Sequence, residues 1–156
     1  VQWSNLFVLA ASISLGQALV HSGAAPWMAA WVKDVVASLL PTPLLVIVLM
    51  MAGGSLLRIF IPNIVAYLAL LIPVAVTVAQ EVGLNPIVCA LAVTIAGDSC
   101  NYYPAQGSAS LMAIATGQIR APEMFRLGVI MAFVALVTVT VIGVPYWSLV
   151  GQPLVP

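Results

Sequence analysis

Apolar residues dominate this chain, and its polar positions fall in short clusters that divide it into segments. No charge occurs in residues 1–32. A membrane-crossing helix needs about 20 apolar residues, so this run predicts one span with helix to spare. Trp3 is placed to anchor one interface. Gly16 and then His21-Ser22-Gly23 predict a break. Pro26 is placed to open the next helix, and Trp27, Trp31 and Lys33 suit a helix lying in the membrane interface. Residues 1–40 therefore read as a transmembrane helix followed by an interfacial helix.

Pro41 and Pro43 mark the next boundary. Residues 44–57 are apolar but short for a crossing, with Gly53-Gly54 expected to loosen the helix. Arg58 follows, Pro62-Asn63 interrupts, and a second apolar run covers 64–80. Two short arms meeting at a polar, proline-containing tip predict a re-entrant hairpin and return helix over 41–81. Irregular backbone at membrane depth is tolerated only where protein buries it or it lines a cavity. Residues 81–86 (Glu-Val-Gly-Leu-Asn-Pro) predict a surface turn. The apolar stretch 87–96 breaks at 97–108, a run containing Gly97, Asp98, Ser99, Asn101, Pro104, Gln106 and Gly107. A further short helix is expected at about 109–117. Residues 86–117 thus predict a discontinuous transmembrane helix. Pro122 and Glu123 suit a helix start. A plain final span is expected from Phe125 to Val144, within an element over 122–149 that Tyr146-Trp147 closes as an aromatic belt.

Composition settles the class. The chain has 156 residues, 63% hydrophobic and 5% charged, whereas soluble domains carry about 25% charged residues. Such a chain cannot cover a water-facing surface, so the fold class is an all-α integral membrane protein. The formal net charge is zero, which gives no basic footprint for nucleic acid. Cys89 and Cys100 lie in apolar stretches and suggest neither a disulfide framework nor a metal site. There is no phosphate loop, metal cluster or nucleophile–base set, so an enzyme is not expected. Lys33, Asp34 and Glu81 fall on one predicted face, and Arg120 and Arg126 on the other. The positive-inside tendency then places 118–126 in the cytoplasm and the C-terminus outside. The length suits one half of an inverted-repeat transporter, so a missing N-terminal half is expected to complete the site.

Arg58 and Asp98 are the two charges inside long apolar runs. A charge at membrane depth costs at least ~2.5–3.5 kcal/mol, which makes such residues functional candidates. Anions are served at this depth by the N-termini of half-helices, where free N–H groups and the positive dipole end face a cavity. Gly107, Ser108 and Ser110 open one such half-helix, and Asn63 precedes another. Arg58 lies about one turn from the Asn63 tip, so its guanidinium is a candidate to replace a coupling cation and neutralise substrate. Asp98 is a candidate to pair with it or to carry a proton. An ion pair tying two broken helices is the structural alternative for both. His21 reads as an interfacial or packing residue before a proton relay, Met50 and Met51 as lipid-facing or packing residues, and Gly53-Gly54 as serving close helix packing before gating, whereas Tyr102 and Tyr103 are equally candidates to gate the site or plain wall residues.

These segments, in this order, resemble the divalent anion:sodium symporter family of the ion-transporter superfamily. SISLGQALVHSGAAPWMAAWV is similar to its glycine-rich helix and interfacial helix. RIFIPNIVAYLALLIPVAVTVAQEVGLNP resembles its outer hairpin and the helix that leaves it. AGDSCNYYPAQGSASLMAIATGQIRAPEMFRLGVIMAF resembles its broken helix and last span, and YWSLVG its ending. The match covers nearly the whole chain and corresponds to the family's C-terminal repeat. It implies a secondary transporter of dicarboxylates, citrate or sulfate working by an elevator-type movement. It also implies a homodimer in a bacterial inner membrane. The family's hairpin tip usually reads Ser-Asn-Thr, with oxygens that help bind sodium and the substrate carboxylate. Here the tripeptide is Pro62-Asn63-Ile64, so two hydroxyls are absent and only Asn63 carries over. Pro104 matches the broken helix, but the Thr-Pro-Pro-Asn stretch expected after it is replaced by Gly107-Ser108-Ala109-Ser110.

The expectation is therefore a symporter of small anions driven by a sodium or proton gradient, without other cofactor, its partners being the anion and membrane lipid. The substrate-binding candidates are Asn63, Arg58, Gly107, Ser108 and Ser110. The coupling-ion candidates are Asn63, Asp98 and Ser99. An antiporter or channel of the same superfamily, or a non-transporting scaffold subunit, are the alternatives.

Overall fold

The computed structural model describes residues 42–117 and 119–155, with main chain alone at 105, 108, 109 and 111. It also describes positions 7, 10, 11, 14, 17, 18, 21–24, 27 and 30. The expected span and interfacial helix over 1–40 otherwise lie outside the described residues. At 21–24 a turn separates helical positions, with Gly23 at φ 77°, a left-handed conformation that glycine adopts without a Cβ penalty.

Every regular element among the described residues is helical. They are α1 (Pro43–Phe60), α2 (Ile64–Val82), α3 (Pro86–Ser99), a 3₁₀ turn (Pro104–Gln106), α4 (Ser108–Ala115), α5 (Ala121–Thr138), a π segment (Val139–Gly143) and α6 (Val144–Leu149). α1, α2 and the continuous stretch Ala121–Leu149 are long and apolar enough to cross a membrane.

α1 extends through Gly53-Gly54 to Phe60. At 18 residues it is about 27 Å long, longer than the 44–57 arm expected. Two helical glycines cost about 1 kcal/mol each relative to alanine. Gly54 repays this by contact: a Cβ there would lie 2.6 Å from the Tyr67 hydroxyl oxygen of α2. α2 carries Pro73 inside it without ending, and Gly83 at φ 74° closes it, its N–H bonding the Ala79 carbonyl.

α3 is the central element, packed on by both α1 and α2. The core joins Val46, Ile47 and Met51 of α1 with Val74 and Val78 of α2 and Val88, Cys89, Ala92 and Ala96 of α3. Small residues on α3 allow this close approach. The outer face of 121–149 is largely apolar and exposed, with Phe133, Val141 and Ile142 prominent, as suits a surface meeting lipid or further protein.

The final span is not plain. Pro145 has no N–H and its ring crowds the carbonyl four residues earlier. The helix widens just before it, and the Val144 N–H reaches back to the Val139 carbonyl, the five-residue spacing of a π turn.

The tail folds back onto the turn between α2 and α3. Asn85 caps α3, its Oδ1 accepting from the Ile87 N–H at 3.0 Å. Its Nδ2 donates to Gln152 Oε1 at 3.0 Å and to the Pro153 carbonyl at 3.1 Å. Its backbone N–H bonds the Leu154 carbonyl at 2.9 Å. One side chain thus holds the end of the chain beside the 83–86 turn. Asn85→Ala is expected to cost about 1–2 kcal/mol, the loss of a cap plus two tail bonds, read as a lower melting temperature in detergent.

Candidate functional site

Two interruptions of helix meet in this molecule: the tip at 61–63 between α1 and α2, and the stretch 100–107 after α3. Arg58 joins them. It sits in the last turn of α1 and is 2% exposed. Its Nε donates to the Gly97 carbonyl of α3 at 3.2 Å. Its Nη1 donates to the carbonyls of Ile61 and Pro62. The guanidinium also lies over the Tyr67 ring, 5.9 Å from its centroid, where the ring quadrupole favours a cation. All three acceptors are main-chain carbonyls. Asp98 is exposed and is not among the partners, so the geometry brings Arg58 to backbone rather than to a carboxylate.

The end of α1 is satisfied by the broken stretch in return. The last carbonyls of a helix lack intrahelical donors. Here Gln106 Nε2 donates to the Arg58 carbonyl at 2.6 Å, and the Tyr103 hydroxyl to the Ile59 carbonyl at 2.8 Å. Gln106 is itself buried, and its Oε1 accepts from the Tyr102 N–H. Cys100 adds a contact, its Sγ 3.7 Å from Ser55 Oγ. Gln106 and Tyr103 are thus the braces of the site. A glutamine beside Pro104 in an apolar chain was the available sequence signal for the first. Nothing in the sequence marks a tyrosine hydroxyl as a cap.

Tyr67 fixes the spacing. It is fully buried, and its hydroxyl donates to the Val93 carbonyl at 3.3 Å. A Cβ on Gly97 would lie 2.1 Å from its ring. On the other side of the break, a Cβ on Gly128 of α5 would come within 2.6 Å of the Asn101 carbonyl. Glycine is required at both places by close approach.

The other candidates divide. Asn63 is exposed at the tip, and its Oδ1 caps α2, accepting from the N–H groups of Val65 at 2.8 Å and Ala66 at 3.2 Å. Gly107 precedes α4 in extended conformation, and Ser108 opens that helix. Ser110 is buried in its first turn, its Oγ 3.7 Å from where a Gly107 Cβ would be. Ser99 is half-buried and lines an apolar groove between α3 and 121–149 with Ile95, Met131, Ala135 and Tyr146. Arg58 and Gln106 thus join the 61–63 tip to the segment that leads into α4, whereas Ser99 also faces a groove with almost no polar lining. Among the described residues no group of three His, Cys, Asp or Glu side chains is placed to hold a metal ion.

Three apolar helices of spanning length, with a shorter one that breaks beside a buried cation, mark a polytopic membrane protein. The family described as "Sodium:sulfate symporter transmembrane region" matches residues 1–152. The chain belongs to that family. It is 31% identical over 128 residues to an uncharacterized transporter of Synechocystis sp., covering 82% of this chain and 20% of that protein. An uncharacterized transporter of Haemophilus influenzae is 25% identical over 146 residues, covering 93% of this chain and 31% of that protein. The chain therefore spans between a fifth and a third of the length of these relatives. No solved structure matches it significantly.

Proposed function

We propose that this chain supplies one half of the substrate site of a secondary transporter for small anions, dicarboxylates, tricarboxylates or sulfate, driven by a sodium or proton gradient. The observation that carries the reading is a buried cation, bonded only to carbonyls, at the meeting point of four helix ends. The C-terminal ends of α1 and α3 each carry about −0.5 charge, and the N-terminal ends of α2 and α4 about +0.5 each. Arg58 offsets the two negative ends. The positive ends at Asn63–Ile64 and Gly107–Ser108 are then left to attract an anion.

In this reading Asn63 Nδ2, the main chain at Gly107 and Ser108, and the Ser110 hydroxyl contact substrate. Arg58 acts from behind them by setting the potential. Asp98 and Ser99 belong to the coupling step, with Asp98 the candidate proton carrier should protons drive uptake. An inverted repeat outside this chain completes the site, and the whole protein works as a homodimer in the inner membrane of a bacterium, with the C-terminus outside.

Asn63→Asp tests this directly. Aspartate caps a helix as well as asparagine does, so the melting temperature of the full-length protein should be unchanged. The added negative charge at the tip should repel the anion. Stabilisation by millimolar succinate, citrate or sulfate over chloride, expected for the wild type, should disappear. Equal stabilisation of both proteins by the same anion would remove the tip from the site.

A further inference from the structure

Resting on the transport reading above, we propose that the Arg58 guanidinium is a tethered cation filling a coupling-ion position between the 61–63 tip and the α3 break. This half of the transporter then holds no sodium there.

Four observations converge. First, the ligand set is that of a hard cation. Three main-chain carbonyls come from the 61–63 tip (Ile61, Pro62) and the last turn of α3 (Gly97), and unwound carbonyls with half-helix C-terminal ends are what coordinates alkali cations in broken-helix transporters. Second, a buried arginine ordinarily pairs with an acid. Arg58 is 2% exposed, yet its bonds go to neutral oxygens alone. Third, its +1 charge matches the sum of the two C-terminal dipole ends, about −0.5 each, as a monovalent ion would. Fourth, the tip offers a dissolved ion little else. Pro62 and Ile64 have no side-chain oxygen, and Asn63 Oδ1 is committed to the N–H groups of Val65 and Ala66.

The consequence concerns coupling. A dissolved sodium ion must bind and dissociate in every transport cycle, so each such site adds a dependence on sodium concentration. A side-chain cation never dissociates. It keeps the tip drawn to the break, and the positive helix ends primed, at any sodium concentration.

The experiment uses the full-length protein with Arg58→Ala, purified in detergent and melted in choline chloride, with or without millimolar guanidinium or sodium. The vacated carbonyls should accept a free cation. Guanidinium should raise the melting temperature of the variant by about 2–4 °C and leave the wild type unmoved, and sodium should stabilise the variant more than the wild type. A variant that neither cation stabilises overturns the proposal, since a merely structural arginine would leave no cation site behind. Should Arg58→Ala give no folded protein, Arg58→Lys and Arg58→Met are compared. Recovery of folded protein at least about fivefold higher for lysine supports a role for the charge, and equal recovery overturns it. Melting needs no substrate, so it decides the cation position even where the wild type takes up no anion, an outcome that counts against the transport reading alone.

Discussion

Replacing Arg58 with glutamine is expected to abolish anion uptake, by at least about 100-fold, while the protein still inserts into the membrane. The apolar segments that direct insertion are untouched. What is lost is local. Glutamine is shorter than arginine and carries two amide N–H bonds, so it cannot reach the carbonyls of both Gly97 and the Ile61–Pro62 tip. Hydrogen bonds from a charged donor contribute about 1.5–3 kcal/mol each, and the two dipole ends lose their counter-charge. The loss of one such bond corresponds to about a tenfold change or more, and the tip loses two. Stability in detergent should fall in the same variant. Insertion is read by surface labelling, uptake with radiolabelled anion. Retained uptake would show that the bridge between tip and break has no part in transport.

Gly97→Ala should be the most damaging single methyl group in the described part of the chain. Its Cβ would meet the Tyr67 ring at 2.1 Å. The ring has no free direction to move. Gly54 bounds its hydroxyl end at 2.6 Å from a would-be Cβ, and the guanidinium of Arg58 lies over its face. Overpacking of this kind costs about 1–3 kcal/mol and occasionally more, and here the upper end is expected because helix α3 must shift away from α2. The shift would also draw the Gly97 carbonyl from Arg58. A second substitution, Tyr67→Leu, should recover part of the loss, because residues in contact couple by about 0.5–3 kcal/mol. Thermal melts of both single variants and the double variant check this. Strictly additive losses would mean that the clash is relieved elsewhere.

Much of the architecture was legible because hydrophobic runs and their interruptions follow from the cost of polar groups in a bilayer. Pro62-Asn63 and the polar run after Gly97 marked the two breaks, and Arg58 stood out as a charge where charges are expensive. What the sequence concealed was the identity of its partners. Two opposite charges in apolar runs suggest an ion pair, and Asp98 was the evident partner. The guanidinium instead meets carbonyls, which every residue carries and which leave no mark in a sequence. Gln106 carried one mark, a glutamine close to Pro104 in an apolar chain, but its bond to the end of another helix follows no local pattern.

The glycines show the limit most clearly. Gly53-Gly54 read both as a loosening of α1 and as a place of close packing; the helix runs on to Phe60, and Gly54 admits the Tyr67 hydroxyl. Gly97 read as the start of the polar break, and Gly128 carried no mark within the final span, yet both are positions where another element comes too close for a Cβ. Close approach is a tertiary fact. The π segment before Pro145, by contrast, follows from one residue's chemistry, and a proline inside an otherwise plain span was its visible signal. For Asn63 the sequence placed the residue at the tip, and the structure adds that its carbonyl oxygen is occupied by the α2 cap.

In the proposed function the bridged tip and break form an anion site in a gradient-driven transporter. Its most direct test is uptake of radiolabelled succinate, citrate and sulfate by proteoliposomes holding the full-length protein, under an inward sodium gradient, an inward proton gradient or neither. Concentrative uptake of at least one of these anions is expected under a gradient and none without it. Uptake driven by sodium would assign the ion to positions other than the one Arg58 fills, and uptake driven by protons alone would bring Asp98 forward as carrier. Failure to concentrate any of the three anions under either gradient would contradict the proposed function.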